Sequence, residues 1–497
     1  MIIVSSPKFG PFIASFRFNV VVGPLICMMK IMLISNAKMQ YEDLRGEAQN
    51  AIDRLENFYK DKIIVDQRLK RSIVSFQANK NEPFYRWFKY KEGFSKELVQ
   101  MYLSEISLPR ATVLDPFSGT GTTLSASAEL GFFSEGIELL PMGQIVSKLR
   151  TELCDVKHRE LGCELAKVIA TKPWLSAPPS HLNELAITSG AYPDDTRRHI
   201  EGFLSFINDQ TGPLKSLLTL SLISILESVS YTRKDGQYLR WDSRSKRIKL
   251  KGSFDKGKIL SFEEAISAKL ELIGGDLLTY EFFSSSKSAM SKTISGSCLD
   301  VLPKLPSEYF GATITSPPYC NRYDYTRTYA LELAALGIDE IGIRKLRQEM
   351  LSCTVENKQK DLLSKNPSWD YILSEVDNHF ALNAIVRSLQ NDADQGDLNN
   401  PQIVRMVKGY FQEMACVIWE IGRLSMSSGT VIMVNDNVRF GGLAIPVDCI
   451  LSDFAKLSGF HIKQISALPR GKGNSSQQMG KYGRLEVRKC VYIWEKV

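Results

Sequence analysis

The sequence predicts an α/β protein built on an open, mostly parallel sheet, and three observations point there. Short apolar strands alternate with segments of helical periodicity along most of the chain. A glycine-bearing strand-to-helix turn, DPFSGTGTT at 115–123, heads that alternation. A later strand, Ala312 to Thr315, runs into Ser316-Pro317-Pro318-Tyr319, whose paired prolines remove two backbone donors and stiffen the chain.

The elements follow in order. From Tyr41 to about Lys70, Ala51, Leu55, Phe58 and Tyr59 recur at helical spacing, which predicts an amphipathic helix. An aromatic loop comes next, and then a helix with Ser95 as its N-cap, within PFYRWFKYKEGFSKELVQMYL at 83–103. Ala111 to Leu114 is a strand, Thr122 to Leu130 a helix closed by Gly131, and Phe133 to Glu138 a second strand. That is one βαβ half with its glycines in the first turn. Residues 141–290 are longer and mixed, helical at first, with a basic stretch toward their end. A second βα cadence starts near Ile294 and leads to the strand 312–315. The stretch from about Ile338 to Asn400 is polar and helical. Met406 to Leu424 then carries one apolar helical face. Thr430–Val434, His461–Ile465 and Val487–Trp494 are strands, with Ile445–Leu457 a helix among them. The expected division is 1–40 (extension), 41–140 (entry helix, aromatic segment and first βαβ), 141–290 (insertion), 291–337 (tetrad segment), 338–405 (helical insertion) and 406–497 (rest of the sheet).

Composition narrows the function classes. Hydrophobic residues at 44% and charged residues at 24% suit a soluble globular protein of 497 residues, long enough for two to four domains or one large α/β domain with insertions. The formal charge of +7 suits a polyanionic partner without requiring one. Nine cysteines without a C-x-x-C pair, and five dispersed histidines, predict reduced thiols in a cytoplasmic protein and no metal site. The first forty residues are apolar, but Lys8, Arg17 and Lys30 interrupt any run long enough to span a bilayer. A start at Met28, Met29, Met32 or Met39 accounts for them as readily as a signal peptide does.

Gly119-x-Gly121 lets the backbone approach a ligand, because glycine lacks the Cβ that would block it. The turn is not a phosphate loop, since Thr122-Thr123 stands where Lys-Ser/Thr would be needed, and Leu124 replaces the third glycine of a dinucleotide fingerprint. A nucleoside-type ligand without a pyrophosphate remains. Glu138 is placed to accept hydrogen bonds from ribose hydroxyls, and Asp115 offers a carboxylate to a cationic group in the same crevice. In the tetrad, the Ser316 hydroxyl and the Pro317 carbonyl are fixed acceptors suited to gripping an amino group.

Ten Lys/Arg against three Asp fall between Arg233 and Lys258, interleaved with Tyr238, Trp241 and Phe254. Such a cluster contacts phosphates or forms a solvated hairpin, and the two readings weigh evenly. Arg233, Lys234, Arg240, Trp241, Arg244 and Arg247 are the phosphate-facing candidates, joined by Arg470 and Lys472 in the glycine-rich tail. Asn435-Asp436-Asn437 belongs at the same carboxyl edge as the two motifs, or is a plain polar turn.

At these residues the chain resembles the amino-methyltransferases that modify DNA at cytosine N4 or adenine N6. DPFSGTGTT looks like their cofactor motif and TSPPY like their catalytic motif. RWFKYKEGFSKEL is similar to the aromatic segment that closes over the methionine end of the cofactor. The resemblance implies a seven-stranded, mostly parallel Rossmann-like sheet with inserted helical and basic target-recognition regions. It implies S-adenosylmethionine as cofactor, held by Trp87, Phe94, Ser95, Asp115, Pro116, Phe117, Gly119, Gly121, Thr122 and Glu138. Ser316, Pro317, Pro318 and Tyr319 become the catalytic tetrad, with Tyr319 stacking on a flipped base. Serine at the first tetrad position is usual for cytosine N4 enzymes, whereas Asp or Asn is usual for adenine N6 enzymes. DNA is the implied partner, with a separately acting restriction endonuclease as a further one and no membrane. The competing expectations are adenine N6 methylation and, further off, guanine N2 methylation of transfer RNA, whose enzymes usually show Asp-Pro-Pro-Tyr-Gly. No Pro-Cys dipeptide exists to support cytosine C5 chemistry.

Overall fold

The computed structural model describes residues 43–106, 111–154, 156–236, 238–247, 254–279, 291–469, 483 and 485–497. The extension at 1–40 and the tail residues Arg470 and Lys472 lie outside the described residues.

Twelve strands are described: β1 (Ile63–Val65), β2 (Thr112–Asp115), β3 (Ser134–Glu138), β4 (Thr232–Asp235), β5 (Tyr238–Trp241), β6 (Ser291–Ser295), β7 (Phe310–Thr315), β8 (Ser425–Asp436), β9 (Val438–Phe440), β10 (Leu443–Ile445), β11 (Phe460–Ala467) and β12 (Lys489–Lys496). Eight of them form one sheet in the order β1-β11-β12-β8-β7-β2-β3-β6. Every neighbouring pair is parallel except those of β12, which runs antiparallel to both β8 and β11.

The sheet therefore has one strand more than the seven expected, and the extra one is β1. The periodic segment read as a single helix to about Lys70 is helical only over residues 43–59 (α1). Beyond it Ile63-Ile64-Val65, three β-branched residues in a row, favour extended backbone and pair with β11 at Ile465 to Ala467. The buried face of α1 is Ala48, Ile52, Leu55 and Tyr59, whereas Phe58, expected on that face, is 65% exposed.

Alternation along the central strands splits the core in two. Leu114, Met433 and Tyr492 face the layer made by α1 and the helices Gln402–Leu424 and Val447–Leu457. Val113, Ile314, Ile432 and Val491 face α2 (Lys96–Glu105) and the buried Ala126 of α3 (Thr122–Glu129). Ser95 caps α2, its hydroxyl accepting the Leu98 N–H at 3.4 Å.

Residues 141–279 form a helical block of α4 (Pro141–Cys154), α5 (His158–Thr171), α6 (Asp194–Asn208), α7 (Gly212–Val229) and α8 (Phe262–Thr279), with β4 and β5 as an antiparallel hairpin. Its apolar centre is α7, where Leu217, Leu218, Leu222 and Leu226 are buried. The block takes in the aromatic segment before α2. Trp87 Nε1 donates to Asp276 on α8 at 2.8 Å, and Arg86 pairs with the same carboxylate.

Candidate active site

The glycine turn, β3 and the exit of β7 meet at the carboxyl edge of the sheet, where ligands of open α/β sheets bind. They line a cleft that takes in Asp115 to Thr120, Thr122, Glu138, Ser316 and Pro318. Tyr90, Glu92, Gly93 and Phe94 form another part of its wall, with Gly296, Ser297, Tyr325, Met350 and Leu351 completing it.

Close packing explains the glycines. A Cβ on Gly119, whose φ is +51°, would come 3.0 Å from the Tyr90 ring, and one on Gly121, φ +73°, would come 2.6 Å from the Ser147 hydroxyl. A Cβ on Gly143 in α4 would meet the Gly119 carbonyl at 2.6 Å and Glu138 Cγ at 2.8 Å.

Asp115 ties the turn to the tetrad strand. Its carboxylate accepts the Thr123 hydroxyl at 2.6 Å, the Thr315 hydroxyl at 2.7 Å and the Phe117 N–H at 3.1 Å. Burial pushes it up to about 6, against those three donors. Burial likewise pushes Glu138 up to about 8, although the N–H of Leu140 donates to it at 2.6 Å. Tyr319 is half-buried, its hydroxyl 3.4 Å from that of Ser316. Burial and the nearby Asp436 carboxylate raise it well above the usual phenol range.

Not all expected site residues share the cleft. Asp115, Pro116, Phe117, Gly119, Thr122, Glu138, Phe94, Ser316 and Pro318 line it. Trp87 does not: it is 1% exposed and held in the core by Asp276. Ser95 is spent on the cap of α2 and on the Ile73 carbonyl at 2.8 Å. Gly121 sits beneath the turn against Ser147, and Pro317, buried, and Tyr319, half-buried, lie beside the cleft rather than lining it. Residues missed from the sequence are Tyr90, Glu92 and Gly93, which lie inside the aromatic segment already singled out, and Tyr325, Met350 and Leu351, which no local pattern marks.

Asn435 and Asp436 end β8, which runs parallel to the tetrad strand, so they stand at the same carboxyl edge, in a strand rather than a turn, with side chains bonded within the protein. Asn435 donates to the Tyr410 hydroxyl at 2.9 Å, Asp436 pairs with Lys489 at 2.6 Å, and Asn437 accepts the Asp448 N–H at 3.0 Å.

The basic hairpin divides. Lys234 is buried in an ion pair with Glu332, and so is unavailable to a phosphate. Arg244 is clamped on Asp242 at 2.6 Å, and Lys256 donates to the Ser230 carbonyl at 2.7 Å after α7. Arg233 and Arg240 face each other across β4 and β5 on the exposed side, over the Phe254 ring at 5.8 and 4.3 Å. Arg247 lies over the ring of Trp241 at 4.8 Å.

The residues present fit a nucleoside cofactor: a cleft bordered by the backbone of the glycine turn, a buried carboxylate at the strand end and aromatic walls. Among the described residues no cluster of His, Cys, Asp or Glu is placed to hold a metal ion.

A family model described as DNA methylase, for N6 and N4 methyltransferases, matches residues 30–142, which contain the glycine turn and Glu138. The type II methyltransferase M.AvaI of Nostoc sp. is 48% identical over 450 residues, covering 89% of this chain and 92% of that protein. M.AvaI of Anabaena variabilis matches to the same extent. The type II methyltransferase M.BsoBI of Geobacillus stearothermophilus is 40% identical over 467 residues, 89% of this chain and 91% of that protein. The family implies S-adenosylmethionine as methyl donor. Shared nearly end to end with these enzymes, and built around the same glycine turn that the family model spans, the chain belongs to the amino-methyltransferase family of DNA methylases.

Proposed function

We propose that this protein methylates the exocyclic N4 of cytosine in DNA, as the modification partner of a separately acting restriction endonuclease in the cytoplasm. The observation that carries the reading is that Ser316 and Pro318, at the exit of β7, line the same cleft as Asp115 and Glu138. The similarity to type II methyltransferases supports the modification role.

The chemistry the cofactor supplies is an electrophilic methyl carbon. Asp115, Phe117, Gly119 and Glu138 would hold it, with Tyr90 and Phe94 as the facing wall. The base must leave its stack at a cost of a few kcal/mol. Stacking on Tyr319 would return about 1–3 kcal/mol of that. The Ser316 hydroxyl and the Pro317 carbonyl would accept hydrogen bonds from the two N–H groups of the base amine, drawing its nitrogen toward tetrahedral geometry and freeing its lone pair for attack; once methylated, the nitrogen sheds one of those protons to solvent. Serine rather than a carboxylate at this position favours cytosine.

The test is nucleoside mass spectrometry on DNA from cells expressing the wild type or Ser316→Ala. N4-methylcytosine in the wild type, lost in the variant, is the expected result. N6-methyladenine would overturn the choice of base, and unmodified DNA with methylated RNA would overturn the choice of substrate.

A further inference from the structure

β4 has different surroundings on its two faces. Arg233 and Asp235 are exposed, while Thr232 and Lys234 are buried. Lys234 and Glu332 form an ion pair with side-chain exposures of 6% and 3%, and Lys234 Nζ lies 4.3 Å from the centre of the Tyr329 ring. Tyr329 stacks on Tyr90, with centroids 5.3 Å apart and planes 13° from parallel. Its hydroxyl donates to Glu92 at 2.7 Å and accepts the Lys91 N–H at 3.2 Å. Lys91 Nζ in turn donates to the Lys234 carbonyl at 2.9 Å. Tyr90 is the ring that covers Gly119, so the far end of this chain of contacts is a wall of the cleft.

A buried ion pair is poor value for stability alone, since desolvation offsets most of its attraction and a well-packed apolar pair does as well. What this pair does supply is direction, because it fixes where the Tyr329 ring sits and hence where Tyr90 can lie. We propose that Tyr329, braced by the Lys234–Glu332 ion pair, is a positioning residue for cofactor binding: its ring holds Tyr90 against the glycine turn and couples the buried face of the hairpin to the cleft. The proposal rests on reading the cleft as the S-adenosylmethionine site.

The experiment is titration calorimetry with S-adenosylhomocysteine on the wild type, Tyr329→Phe, Tyr329→Leu and the neutralised pair Lys234→Met/Glu332→Gln, with melting temperatures measured alongside. Tyr329→Phe keeps the ring and should bind within about threefold of wild type. Tyr329→Leu and the neutralised pair should each bind about tenfold more weakly, the size set by one aromatic contact. In steady-state assays KM for S-adenosylmethionine should rise to match, while kcat and KM for duplex DNA stay within about twofold, a split that general destabilisation would not produce. Should Tyr329→Leu not fold, the neutralised pair carries the same readout. Binding within about twofold of wild type in the folded variants would overturn the positioning role, as would equal losses in Tyr329→Phe and Tyr329→Leu. A wild type that binds no S-adenosylhomocysteine would overturn the reading of the cleft itself, which keeps the two failures distinct.

Discussion

Glu138 ends β3 with its carboxylate buried and, among the described residues, no cation paired with it. Burial lifts it to about 8, so near neutral pH the protonated form dominates. Ribose hydroxyls donate to a carboxylate, which favours the ionised form, so binding of S-adenosylhomocysteine should release a proton below about pH 8. Affinity is expected to rise by up to about tenfold per pH unit toward that value and level off above it. Calorimetry in buffers of different ionisation enthalpy reads both quantities. Glu138→Gln should bind more weakly and lose the pH dependence; a persistent dependence would assign the proton to another group. The same shift has the opposite sign for the free protein. A carboxyl raised from 4.5 to about 8 contributes stability that is present at low pH and is lost as pH rises through about 8. At this scale the sequence was informative where chemistry and backbone coincide: Asp115, Glu138 and Ser316 sit at strand ends that short motifs mark. Tyr325 and Met350 were not legible, because only the fold brings them to the turn.

The hairpin of β4 and β5 shows why a run of charge is ambiguous before it is folded. A period of two puts neighbouring residues on opposite faces, so Arg233 meets solvent and Lys234 meets Glu332. Composition counts both alike. Arg233 and Arg240 are like charges directly opposite each other, offset in part by Asp235, 3.5 Å from Arg240, and both stay exposed to an external anion. If they contact DNA phosphates, Arg233→Ala/Arg240→Ala should lower affinity for duplex DNA and reduce the slope of log K against log salt by about 2. Fluorescence anisotropy across a salt series measures it, and an unchanged slope would move the DNA contact elsewhere. The other element misread from sequence, β1, failed for a related reason. Helical spacing up to Tyr59 hid a change of conformation that three β-branched residues announce only weakly.

Across the whole molecule, the helical block 141–279 is fastened to the sheet both by α4, through Ser147 on Thr293 of β6 and Arg150 on the Gly121 carbonyl, and by the aromatic segment. Asp276, 2% exposed, receives both the Trp87 indole and the Arg86 guanidinium. Asp276→Ala removes the acceptor shared by the buried Trp87 indole and the half-buried Arg86 and should cost about 2 kcal/mol in urea denaturation. Wild-type stability in that variant would mean the contacts of α4 with β6 and the glycine turn suffice to join the two parts. The alternation of strands and helices made the parallel sheet legible, because its period is local. The place of β12 in the order was not, because pairing partners in a sheet are set by long-range contacts that periodicity does not encode.

That place matters while the protein is being made. β8 and β11 touch in the finished sheet only through β12, which follows both in the chain. A ribosome working from the N-terminus therefore delivers β8 and β11 before the strand that joins them. Until β12 emerges, β8 shows an open edge next to the tetrad strand and β11 has only β1 beside it. During translation the half carrying the glycine turn and tetrad can assemble early, while the newborn chain still exposes strand edges on which molecular chaperones act.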